Sequence, residues 1–244
     1  MQRGQTERYR TVTRSVRMFR AFLHEQDAPE LFYGSLARDT VALLRAHEPL
    51  HDRLVVDVGA GEPQFCEEFQ AAGARYLAVD LDRAALNALP AGVGILGRGE
   101  ALPLADSSAD VVVSSNVAEH VRDPGRLGNE MIRIARPGGL IFLAYTSWAS
   151  PWGGHETSPW HWLGGDYAAR RYERRTGRAP KNRFGVNMFP TSVRAGLRWA
   201  NAHPDAWLIE AFPRYHPDWA SGVLALPGAR EVATWNLTML LRRR

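Results

Sequence analysis

The stretch Leu54-Val55-Val56-Asp57-Val58-Gly59-Ala60-Gly61-Glu62-Pro63 constrains the fold of this chain more than any other. A continuous apolar run is the pattern of a strand buried on both faces of a parallel sheet. The run stops at an aspartate and breaks into two glycines one residue apart, where backbone can turn sharply and lie against a bound nucleotide.

The pattern after this turn repeats strand, turn and helix, which predicts a parallel sheet with helices on both faces. Strands are expected at 53–58, 75–80, 93–96, 110–115 and 139–146, and helices at about 63–73, 82–89 and 123–136. Leu127, Met131 and Ile134 form the apolar stripe of the last helix, and Arg136-Pro137-Gly138-Gly139 stops it. Ahead of the sheet, residues 1–50 read as helices, one of them Ser35 to His47 with Leu36, Thr40, Leu43 and Leu44 on one side. After Trp148 the alternation lapses into a segment rich in Gly, Pro, Trp and Arg that runs to 190 and holds one helix, Gly165 to Thr176. A helix near 191–202 and strands at 206–213 and 233–241 close the chain. A single domain over 1–244 is expected: a helical cap at 1–50, a cofactor-binding core at 51–147, a substrate-covering insertion at 148–204 and C-terminal strands at 205–244.

Composition narrows the setting. With 45% hydrophobic and 23% charged residues the chain reads as folded and soluble. No stretch reaches the roughly 18 apolar residues of a spanning helix, and no signal-peptide core is seen. Cys66 is the only cysteine and reads as a small buried helix residue, so no disulfide forms within the chain and a cytoplasmic setting is expected. The net charge of +4 comes almost wholly from arginine, since Lys181 is the only lysine. GC-rich codon usage accounts for that, and no nucleic-acid-reading module is present, so a nucleic-acid partner is not expected. Arg3, Arg8, Arg10, Arg14, Arg17 and Arg20 crowd the N-terminus, with Val12, Val16, Phe19 and Leu23 at helical spacing among them. Two readings stay open: a cap packed by its apolar side with a solvated arginine face, or contact with an anionic substrate or a peripheral membrane surface.

The turn is not built for phosphates. A dinucleotide fingerprint needs a third glycine, and here Gly59-Ala60-Gly61-Glu62-Pro63-Gln64 lacks it. Asp57 and Glu62 would repel a pyrophosphate but suit a ligand carrying an ammonium or a sulfonium. Asp80 ends the next strand, in Val79-Asp80-Leu81-Asp82, where a carboxylate accepts from two ribose hydroxyls; Asp82 can cap the following helix.

With these residues in order, the chain resembles class I S-adenosylmethionine-dependent methyltransferases. The resemblance covers about 53–147 and rests on Asp57-Val58-Gly59-Ala60-Gly61, Val79-Asp80, Glu100-Ala101-Leu102-Pro103-Leu104, Asp110 through Val121, and Arg136-Pro137-Gly138-Gly139. It implies S-adenosyl-L-methionine as cofactor and a Rossmann-like sheet of seven strands, mostly parallel, the last antiparallel and inserted beside the fifth. It also implies that Asp57, Gly59 and Gly61 line the methionine and sugar, that Asp80 holds the ribose, that Glu100 and Ala101 pass the adenine, that Asn116 flanks the methionine, and that Ala60 and Leu81 belong to the same cofactor-binding set. Two positions depart from the family: Pro63 replaces a frequent third glycine, and Gly97-Arg98-Gly99 offers Arg98 where many members have an adenine-binding aspartate.

The residues after the fourth strand bear on the acceptor. Asn116-Val117-Ala118-Glu119 lacks the Asn/Asp-Pro-Pro-aromatic sequence of enzymes that methylate nucleic-acid amino groups, and a lone cysteine excludes cytosine C5 chemistry. The segment from Trp148 to Trp162 holds four of eight tryptophans. It is expected to wall a sugar or aromatic ring through Trp148, Trp152, His155 and Trp160, or else to be a loop pinned to the surface by its own aromatics. His155, Glu156 and His161 match no strong metal spacing, and no metal is expected. The expected reaction is O-methylation of a small or glycosylated metabolite, with His120 as base and His155, beside Glu156, as its substitute, since imidazole accepts protons at neutral pH. N- or C-methylation of a small molecule, or cofactor binding without catalysis, are the alternatives.

Overall fold

The computed structural model describes residues 10–24 and 28–244. Arg3 and Arg8 lie outside them. The elements run α1 (Val12–Leu23), α2 (Pro29–Arg45), β1 (Leu54–Val58), α3 (Gln64–Ala71), β2 (Arg75–Asp80), α4 (Arg83–Asn87), β3 (Gly94–Leu96), β4 (Ala109–Ser115), α5 (Pro124–Ile134), β5 (Ala135–Thr146), α6 (Gly165–Thr176), α7 (Val193–Ala202), β6 (Ala206–Pro213), α8 (Ala229–Ala233) and β7 (Asn236–Arg243). The seven strands form one sheet in the order β3-β2-β1-β4-β5-β7-β6. β1 pairs in parallel with β2 on one side and β4 on the other, so the strand order reverses at β1 and opens a crevice beyond its carboxyl end. β7 lies antiparallel between β5 and β6.

Alternating side chains of the central strands feed two cores. Val55, Val111, Val113, Leu140 and Phe142 pack with Met18, Leu36 and Phe69 from α1, α2 and α3. Val56, Val58, Val112, Ile141 and Leu143 pack on the other face with Leu127 and Met131 of α5 and Val193 of α7. Both faces are covered, which is why these strands read as unbroken apolar runs. Local chemistry fixes the helix starts: Asp123 caps α5 by accepting from the amide of Arg126, with Pro124 in the first turn, and Asp82 caps α4 through the amide of Ala84.

Two expectations are corrected. Of Val12, Val16, Phe19 and Leu23 of α1 only Phe19 reaches the core, its ring edge-on to Trp152 and Trp235; Val12, Val16 and Leu23 stand exposed, while Met18, Phe22 and Arg14 turn inward. A 3-10 stretch at Asp218–Ala225 and helix α8 interrupt the C-terminal strands where the sequence pattern predicts no helix.

A buried polar network fastens the cap to the sheet. Arg14 gives its Nε and Nη2 to the Asp39 carboxylate and its Nη1 to the Arg214 carbonyl, 2.8 Å away. Arg214 itself is 1% exposed and donates to the hydroxyls of Ser115 at 2.7 Å and Thr40 at 2.6 Å. Removing one partner of a buried ion pair strands the other. Arg14→Met is therefore expected to lower unfolding stability by about 3–5 kcal/mol, read from the urea midpoint.

Candidate active site

The turn after β1 is held by positive-φ backbone geometry that favours glycine. Gly59 has φ +76° and donates its amide to the Val79 carbonyl at 2.7 Å. A Cβ there would come within 2.3 Å of Val117 Cγ2, so the segment leaving β4 packs directly on this glycine. Gly61, at φ +48°, donates to Asp80 Oδ2 at 3.2 Å, while Asp80 Oδ1 accepts from the Asp82 amide at 2.7 Å. Each carboxylate oxygen has a second lone pair, so Asp80 keeps acceptor capacity for two hydroxyls. Beside it Leu81 is 60% exposed, an apolar surface next to an acceptor pair. These residues fit a nucleoside with a free ribose edge. Pro63 adopts helical angles ahead of α3, so the missing third glycine leaves the turn intact.

Asp57 sits beneath the turn rather than on it. It is 2% exposed and accepts from the Tyr76 hydroxyl at 2.7 Å, an anchor to β2 for which the sequence carries no signal. Burial pushes its carboxyl up to about 7, against the Tyr76 hydrogen bond, with the Asp80 charge adding to the rise. Glu100 receives a 3.3 Å contact from Arg98, and Ala101 is exposed at the neighbouring bend. Ala60 is buried in the core. Asn116 follows β4 at φ +60°, a conformation asparagine tolerates, and its side-chain oxygen accepts from Asn236 of β7 at 2.7 Å.

His120 and His155 are brought together, with ring centroids 5.2 Å apart at 71°. His120 Nδ1 lies 2.8 Å from the Asn187 carbonyl. A carbonyl only accepts, so the proton sits on Nδ1 and the lone pair on Nε2. Burial holds the His155 imidazole below its ordinary range, His120 lowers it further, and the Glu119 carboxylate opposes them. His155 is at φ +50°, and its Nδ1 is buried without a partner. Glu119 lies within the run from Asp110 to Val121, but its position in the sequence assigns it no role. Its side chain is 2% exposed, with Oε1 accepting from the Thr146 amide at 2.9 Å and Oε2 buried and unmatched. Donor atoms of Glu119, His120 and His155 lie within 4.8 Å of one another, a set chemically able to ligate a divalent cation. Glu156 does not orient His155; its carboxylate accepts from the amide and side chain of Asn182 at 2.7 and 2.9 Å.

The tryptophans part company. Trp152 stacks on Trp235 at 4.3 Å and meets Phe19 and Phe22 of α1, so it belongs to the core beneath the cap. Trp160 lies under the Arg171 guanidinium at 4.0 Å on the outer surface. Trp148 packs on Phe184 and on His161, whose Nε2 bonds the Trp148 carbonyl at 2.9 Å. The tryptophan-rich segment is thus a loop fastened by aromatic contacts, and of its expected wall residues His155 is the one in contact with His120.

The turn yields two expected outcomes. Gly59→Ala combines strained φ with overpacking against Val117, so a loss of about 2–4 kcal/mol of stability and of cofactor affinity is expected, by denaturation and calorimetry. Between the ordinary aspartate range and about pH 7 the folded Asp57 keeps a proton that the unfolded chain has lost, so stability falls as pH rises through that window. Asp57→Asn keeps an acceptor for Tyr76 and should flatten this slope. Relative to wild type it should gain on the order of 1–3 kcal/mol on going from about pH 5 to pH 8, measured by melting in matched buffers.

Comparison with known proteins agrees with this geometry. Residues 56–143 match the methyltransferase domain family. An uncharacterized methyltransferase of Mycobacteroides abscessus is 47% identical over 249 residues, covering 96% of this chain and 95% of that protein. One from Mycolicibacterium vanbaalenii is 48% identical over 244 residues, covering 95% of each. Among solved structures, the S-adenosylmethionine-dependent methyltransferase of Mesorhizobium loti superposes with a TM-score of 0.55 at 20% identity, covering 84% of this chain and 98% of that one. The PH0226 protein of Pyrococcus horikoshii gives 0.57 at 13% identity, covering 93% and 98%. The glycine turn, the acid at the end of β2 and the 3-2-1-4-5-7-6 sheet sit in a chain that belongs to the class I S-adenosylmethionine-dependent methyltransferases.

Proposed function

We propose that this methyltransferase acts on a hydroxyl of a small or glycosylated metabolite, with His120 taking the hydroxyl proton at Nε2. The observation that carries the reading is the 2.8 Å contact from His120 Nδ1 to the Asn187 carbonyl, which leaves Nε2 as the basic atom. When bound, S-adenosylmethionine supplies an electrophilic methyl on a sulfonium. Asp80 and Leu81 would meet the ribose, Ala101 would border the base, and Gly59, Gly61 and Asn116 would lie along the methionine. His155, whose burial lowers its basicity, lies edge-on against His120. Trp148 and Phe184 offer the aromatic wall against which a sugar or aromatic ring can rest.

His120→Ala should lower kcat by roughly 10²–10⁴-fold and flatten the acidic limb of the rate profile, with cofactor affinity little changed. The assay pairs methyl-labelled cofactor with a panel of phenols, sugars, amines and carbon acids. Wild-type turnover in the variant would sink the assignment. Turnover lost to a chelator and restored by a divalent cation would make Glu119, His120 and His155 metal ligands instead. Methylation of the amines alone would overturn the hydroxyl as acceptor.

A further inference from the structure

α1 carries two apolar faces, and a helix packed on a soluble domain needs one. The inner face is satisfied: Met18 is 1% exposed, Phe22 meets Trp235 edge to face at 4.4 Å, and Arg14 is locked to Asp39. The second face comprises Val12, Val16 and Leu23, which are 58, 45 and 61% exposed, and the outer edge of Phe19, 40% exposed, whose ring also meets Trp152 and Trp235. At i, i+4, i+7 and i+11 they form one line along the helix. Arg17 and Arg20 stand exposed beside that line, and α1 contains no acidic residue. Val12, Thr13, Val16, Arg17 and Arg20 line one open groove, placing aliphatic and guanidinium groups side by side. Trp219, 80% exposed, follows Asp218, which pairs with the Arg10 side chain and bonds the Arg10 carbonyl just ahead of α1.

We infer that α1 docks on an anionic lipid surface. The aliphatic line enters the boundary between headgroups and acyl chains, Arg17 and Arg20 meet the phosphates, and the Trp219 indole sits at the depth such rings favour. Charge selects this occupant. A second copy packed antiparallel across a two-fold axis would set the Arg17 and Arg20 side of one α1 against the same side of the other, like against like. Nucleic acid would use the guanidinium groups and leave three aliphatic side chains facing phosphates and water. A negatively charged bilayer matches both halves of the stripe. Because Arg14 already fixes α1 to the body, the helix is formed before contact and no folding on the membrane is needed.

The test is flotation of the full chain with vesicles of phosphatidylcholine alone and of phosphatidylcholine mixed with phosphatidylglycerol. The chain should rise with the mixed vesicles only, and added salt should release it. Arg17→Ala with Arg20→Ala should weaken partitioning by roughly 30-fold. Val16→Asp with Leu23→Asp should abolish it while melting temperature and cofactor affinity stay at wild-type values, since both side chains face solvent. Failure to float with mixed vesicles overturns the inference, and so does wild-type flotation by the aspartate variant. A dimer in light scattering that Val16→Asp dissociates would hand the stripe to a second copy. Duplex or RNA binding that needs Arg17 and Arg20 but not Val16 and Leu23 would hand it to nucleic acid. Flotation that begins only after removal of residues 1–9 would show the stripe covered by the chain itself.

Discussion

A guanidinium buried at 1% exposure cannot be left unmatched, and the way Arg214 is matched organises this molecule. It stands just past the end of β6. Its donors reach Ser115 at the end of β4 and the Leu36 carbonyl and Thr40 hydroxyl on α2, while its own carbonyl receives Arg14 from α1. The α1–α2 pair, β4 and β6, three regions far apart in sequence, are thereby set relative to one residue. A lysine would serve poorly, because an ammonium has three donors and no planar fork to span strand and helix. Ser115 is the residue before Asn116, so the network that holds the helical cap also fixes where the chain leaves β4.

From that exit the site is assembled mainly by backbone contacts. Val117 rests on Gly59, which sets the distance between the two turns that bound the crevice. Glu119 receives the Thr146 amide and, through its carbonyl, the Phe189 amide, so one residue joins the ends of β4 and β5 to the segment that precedes α7. Ser114 adds a buried bond to the Val58 carbonyl at 3.0 Å. The turn around Gly59 is therefore held by backbone contacts, whereas the surroundings of His120 and His155 depend on loops tied by side chains.

This division tracks what is legible in the sequence. The strands, the glycine turn, Asp80 and the Asp82 cap have local signatures, since each depends on a few neighbouring residues, and α6 and β6 fall on their expected bounds. The orientation of α1 has none. Its expected stripe and its true packing face are both apolar, and only the identity of the opposing surface decides between them. Trp152 and Trp235 are 83 positions apart by their numbers, so clustering of tryptophans in sequence says nothing of where each ring goes. Arg214, Tyr76 and Asn236 act through partners distant in the chain, and no spacing rule points to them.

The Asn187 carbonyl has a consequence for timing. It decides which imidazole nitrogen of His120 holds the proton, and it belongs to a segment kept in place by Glu156 on Asn182, by Asn187 on the Arg183 amide and by Phe189 on Glu119. Were that segment to swing away, the ring would lose the acceptor that fixes its tautomer, and Nε2 would spend part of its time protonated and unable to accept. The proton inventory of one histidine thus reports whether the loop is home, and with His120 as the proposed base this would couple chemical competence to loop position without any change in the fold beneath.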